Sequence, residues 1–83
     1  MRPHWGMRLN TTFGKNLRRL RKEAGLSQED LAAEIGIDMR YLGGIERGQE
    51  NPTLEIVERA ASALKVAPNT LLTESKGRLS AGT

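Results

Sequence analysis

The chain has 83 residues, no cysteine, and 13 Lys/Arg against 10 Asp/Glu, for a net charge of +3 and a pI near 9.8. That length bounds it to one small domain, near the lower end of what a single core stabilises alone. Without cysteine it has neither disulfides nor a thiolate metal site to staple it, and a partner subunit is the usual substitute. No apolar run approaches the roughly 20 residues that span a bilayer. The first ten residues lack the apolar core of a secretory signal, so a cytoplasmic location is expected. The whole positive excess falls in residues 1–48, and residues 49–83 are neutral. A basic bias of this size is compatible with a polyanion partner, and equally with a solvated face.

In chain order, residues 1–10 read as a flexible N-terminal arm. Met7 is an alternative start, which leaves open whether residues 1–6 are native. His4 and Trp5 carry little weight as a metal or stacking site, because a lone His in a terminal arm is ordinarily incidental. Thr11 or Thr12 can cap a first helix that runs to about Ala24. Phe13, Leu17, Leu20 and Ala24 fall on one narrow face of it. Lys15, Arg18, Arg19 and Lys22 occupy the opposite side, and Arg21 flanks the apolar stripe. Two readings of these cations stand side by side, a solvated face and a set of phosphate contacts. Gly25 ends the helix.

Ser27 then opens the most structured grammar in the chain. It is an N-cap, and Asp30 three residues on completes a capping box with Asp in place of the usual Glu or Gln. Leu26 and Leu31 form a hydrophobic staple around it. Asp38 repeats the pattern, with Ile37 and Leu42 as its staple. Gly36 between the two can adopt the left-handed conformation that closes a helix. Helices over about 28–35 and 39–47, joined so tightly, make a helix-turn-helix, a unit whose second helix lies in the DNA major groove. Leu31, Ala32, Ile35, Leu42 and Ile45 are expected inward, and Met39, Arg40 and Gly44 outward. Gly48 stops the third helix and Pro52 forbids its continuation. Thr53 caps a fourth helix with the stripe Leu54, Val57, Ala60, Ala61 and Leu64. Pro68 opens a short fifth helix ending near Leu72. The stretch 73–83 has no periodicity and reads as a flexible tail. No segment alternates as a strand does, so the fold class is all-α, with residues 11–72 as the folded domain.

FGKNLRRLRKEAGLSQEDLAAEIGI, followed by YLGGIERGQENPTLEIVERAASALKV, resembles the Cro/cI-type helix-turn-helix domain over residues 12–72. LSQEDLA, the turn glycine and IERG…NPTLE stand at that family's spacings. The resemblance implies a compact five-helix bundle of the lambda-repressor-like DNA-binding type, with helix 3 as the recognition helix. It places Met39, Arg40 and Gly44 at base-reading positions. The planar fork of Arg40 suits guanine O6 and N7, while Met39 either touches a thymine methyl or packs against the turn. Ser27, Gln28, Tyr41, Arg47 and Arg18 fall at or near phosphate-contacting positions. For Ser27 capping is the parallel role, and for Tyr41 it is packing on helix 2. Arg21 and Glu46 match a pair that links helices 1 and 3. Two departures stand out. Gly43 and Gly44 put two glycines inside the recognition helix, and Gln49 and Glu50 stand where relatives often carry Lys or Arg.

One helix of this length reads only a few base pairs, so a homodimer on a pseudo-palindromic operator is expected, with half-sites about 34 Å apart. Val66, Pro68, Leu71 and Leu72 form the apolar patch for that contact, shared with closure of the monomer's own core. The expected function is a sequence-specific, double-stranded DNA-binding transcriptional regulator. A restriction–modification controller, a phage-type repressor and an antitoxin all fit this grammar. The alternative is a protein–protein adaptor that reuses the same fold. An enzyme is not expected, for the sequence has one His in an arm, no Cys nucleophile and no metal-spaced cluster. No cofactor, metal, small-molecule ligand or membrane is implied.

Overall fold

A computed structural model of the chain describes residues 5–74, so His4 and residues 75–83 of the expected tail lie outside it. Five helices follow one another: α1 (Trp5–Glu23), α2 (Gln28–Ile35), α3 (Met39–Glu46), α4 (Leu54–Leu64) and α5 (Pro68–Leu72). No strand occurs among the described residues. α1 packs on α3 and α5, α2 on α3 and α4, and α4 on α5.

The caps are those that the side chains dictate. Ser27 Oγ accepts from the Asp30 N–H at 2.9 Å, and Asp30 Oδ2 accepts from the Ser27 N–H at 3.1 Å. Asp38 Oδ2 accepts from the Arg40 N–H at 2.8 Å, and Thr53 Oγ1 from the Ile56 N–H at 3.2 Å. Each satisfies a donor that the first helical turn leaves without a partner. Gly36 closes α2 at φ 88°, and its N–H and that of Ile37 both reach the Ala32 carbonyl. A left-handed residue here reverses the chain in the fewest steps.

The core draws on every helix: Phe13 and Leu17, Leu31, Ala32 and Ile35, Leu42 and Ile45, Val57, Ala60 and Ala61, and Leu71. Leu20 and Leu64 are only half-buried against it, and Ala24 lies exposed beyond the end of α1.

α1 differs most from expectation. It begins at Trp5, within the segment read as an arm, and Thr11 and Thr12 lie in its interior rather than at its cap. Local capping grammar was outweighed by tertiary contact. Arg8 Nε pairs with Glu74 Oε2 at 2.6 Å, and Arg8, Leu9 and Thr12 face Leu72 and Glu74 across a shallow groove of about 300 Å³. The early turns of α1 therefore rest on the far end of α5. Glu74's hydrogen bond, and then its charge, raise the Arg8 pKa above the ordinary value. The pair is solvent-exposed, so it orders these ends more than it stabilises them.

Candidate nucleic-acid interface

The helix pair α2–α3 is held from behind by a buried ion pair. Arg21 on α1 and Glu46 in the last turn of α3 meet through two bonds, Nε to Oε2 at 2.7 Å and Nη2 to Oε1 at 3.1 Å. Their side chains are 9% and 3% exposed. Each partner makes a further bond: Arg21 Nη1 donates to the Leu26 carbonyl at 2.9 Å, and Gln28 Nε2 donates to Glu46 Oε1 at 2.9 Å. One carboxylate thus ties α1, the start of α2 and the end of α3 together. Such a site tolerates charge because every polar group in it is satisfied.

Gly14 lets α1 approach this junction. A Cβ at position 14 would collide with the Ile45 carbonyl oxygen and lie 2.9 Å from that of Glu46. The backbone of α3 therefore rests directly on α1.

With its back fixed, α3 exposes one end. Leu42 and Ile45 point into the core, while Met39 is 47% exposed and Arg40 is also exposed. Tyr41 is half-buried, its ring packed on the core, and its hydroxyl has no hydrogen-bond partner among the described residues. Arg18 on α1 and Arg47, the C-cap of α3, are exposed, and Arg47 Nε donates to Gln49 Oε1 at 3.1 Å. Ser27 sits at the start of α2 with its oxygen engaged as cap acceptor. An exposed helix end, exposed guanidinium groups and the N-terminus of α2 suit a polyanion with a groove.

Three site expectations meet a different geometry. Gly44, expected to face outward, is buried, because the side chain of Glu50 lies over it. Gln28, expected at a phosphate-contacting position, gives one amide hydrogen to Glu46. Leu71, expected in a dimer patch, is 0% exposed and closes the monomer's core. Val66 and Leu72 are half-buried, and Pro68 is exposed.

Two anchors outside the expected site residues fix helix ends. Asn16 is buried on α1, and its Nδ2 donates to the carbonyls of Leu71 at 2.8 Å and Thr73 at 2.9 Å, fixing the end of α5. Its signal was available, since position 16 lies between Phe13 and Leu20 at helical spacing, a polar residue on the apolar stripe. Arg59 Nη1 donates to the Ile35 carbonyl at 3.2 Å, closing the end of α2. No periodicity marks that bond.

Residues 17–71 match the model of the helix-turn-helix family. The chain belongs to the Cro/cI-type helix-turn-helix family. The HTH-type transcriptional regulator y4dJ of Sinorhizobium fredii, itself uncharacterised, is 40% identical over 67 residues, which cover 81% of this chain and 87% of that one. SinR of Bacillus subtilis, an HTH-type transcriptional regulator, is 39% identical over 63 residues; the match covers 75% of this chain but only 57% of SinR. Among solved structures, the restriction-modification controller protein C.AhdI of Aeromonas hydrophila superposes with a TM-score of 0.72 at 47% identity. That superposition covers 75% of this chain and 94% of C.AhdI. As a Cro/cI-type helix-turn-helix protein the chain is a DNA-binding transcription regulator, from a family that is not enzymatic. No described helix is long and apolar enough to cross a membrane.

Proposed function

We propose that this regulator reads a specific duplex sequence by placing the N-terminal end of α3 in the major groove. The observation that carries this is the polarity of α3 itself: its last turn is clamped by Arg21–Glu46, while Met39 and Arg40 project from its first. Arg40 bonds a guanine edge and Met39 packs on a thymine methyl. Arg18, Arg47, the Tyr41 hydroxyl and the Ser27 hydroxyl contact phosphates. Gln28 joins them through the second hydrogen of its amide, which the bond to Glu46 leaves available.

Two copies bind together on a pseudo-palindromic operator, meeting through Val66, Pro68 and Leu72, while Leu71 stays in each core. The similarity to C.AhdI supports restriction–modification control as the biological role. Transcript levels of a restriction endonuclease gene, compared with and without the regulator, test that role.

Selection of bound fragments from random duplexes tests the reading of α3. An enriched motif with dyad symmetry is expected, and Arg40→Ala should cost about 1–3 kcal/mol at one guanine in each half. A motif indifferent to Arg40→Ala removes Arg40 from base reading.

A further inference from the structure

The outward face of α3 lacks a side chain where one would be most useful. Residues four apart on a helix share a face, with about 5–6 Å between their Cβ positions. Gly44 therefore stands one turn beyond Arg40 on the same side of α3. A Cβ built on Gly44 would lie 2.8 Å from Glu50 Cγ, 3.0 Å from Oε2 and 3.4 Å from Cδ. The space that a methyl would fill is taken by a carboxylate delivered from the loop after α3.

No polar partner among the described residues holds that carboxylate in place. Glu50 is half-buried and makes no hydrogen bond or ion pair among the described residues. The neighbouring Arg47 turns to Gln49 instead. Glu50 lies over the C-terminal half of α3, where the helix dipole disfavours an anion. A carboxylate there is repelled by phosphates, and as an acceptor it requires a donor. The major groove offers donors only at the amino groups of cytosine and adenine. Adenine N6 lies beside N7, an acceptor that repels a carboxylate, whereas cytosine presents N4 with no acceptor of its own beside it.

We propose that Glu50 is a specificity-determining residue that accepts a hydrogen bond from cytosine N4, lying on α3 in place of the side chain that Gly44 lacks. The inference rests on the reading of α3 as the groove-entering helix. Arg40 and Glu50 then present a cation and an anion one helical turn apart, and the half-site carries a guanine and a nearby cytosine to match.

The test is selection from random duplexes with the intact chain and with the Glu50→Ala, Glu50→Gln, Gly44→Ala and Arg40→Ala variants. The unmodified chain should enrich a cytosine close to the guanine that Arg40→Ala loses. Glu50→Ala should lose the cytosine and keep the guanine. Replacing that cytosine with thymine should weaken binding about tenfold for the unmodified chain, and less than about twofold for Glu50→Ala. Glu50→Gln should shift the preference towards adenine, whose N6 and N7 match an amide. Gly44→Ala, by displacing the carboxylate, should repeat the Glu50→Ala result. If Glu50→Ala instead tightens binding to every duplex alike and leaves the motif unchanged, Glu50 only repels DNA and the proposal is overturned. If no position of the motif responds to Arg40→Ala, the reading of α3 fails first, and this inference falls with it.

Discussion

Arg21 and Glu46 show what single residues do in so small a core. The pair is buried and each partner has further bonds, so removing one leaves a charge without compensation rather than merely deleting an attraction. Arg21→Met should therefore cost about 3–5 kcal/mol of folding stability, read as a lowered urea midpoint. A loss below about 1 kcal/mol would show that Gln28 alone satisfies Glu46. Lys65 presents the opposite case. It is the one described non-glycine residue with positive φ, at 60°, and it ends α4. A side chain pays about 1–2 kcal/mol in the left-handed region, partly offset by glycine's greater entropy when unfolded. Lys65→Gly should raise stability by up to about 1 kcal/mol, and unchanged or lower thermal stability would contradict this.

At the scale of elements, the crossing of α1 over the end of α3 decides how far α3 stands out. Gly14 permits that crossing, and the atoms a Cβ would meet belong to backbone, which cannot swing aside as a side chain can. Gly14→Ala should cost about 1–3 kcal/mol through overpacking, despite alanine's better helix propensity. Calorimetry should show a lower melting temperature, and DNA affinity should fall through the altered tilt of α3. Equal stability would mean that the two helices part freely. Helix identity and caps were legible from the sequence, because Ser27, Asp38 and Thr53 act on backbone within three residues of themselves. The start of α1 was not legible, since the contacts that favour its early turns come from Leu72 and Glu74, remote in sequence.

For the whole molecule, the test is whether operator binding counts one copy or two. Each exposed guanidinium that meets a phosphate adds about one to the slope of log affinity against log salt. Arg18→Ala should therefore lower that slope by about two on a full operator if two copies bind, and by about one on an isolated half-site. The same drop of one on both duplexes would argue for a monomer. Leu54, 79% exposed at the start of α4, is a large apolar side chain outside the proposed contact of Val66, Pro68 and Leu72. Leu54→Ser should leave sedimentation of the proposed dimer unchanged.

The order of five helices, the caps of α2, α3 and α4, and most of the core were determined by the sequence alone, because they depend on periodicity and on groups a few residues apart. The family resemblance reached from there to a DNA-binding regulator, and the similarity of relatives agrees with it. Only the tertiary structure decided which outward positions are open. Gly44 lies on the expected face, yet Glu50 covers it; Gln28 stands at the expected helix start, yet its amide serves Glu46; Leu71 belongs to an apolar patch, yet it fills the core. Spacing along a helix assigns a residue to a side of that helix. What occupies the space in front of it is set by chain that returns from elsewhere, and that return has no local signature.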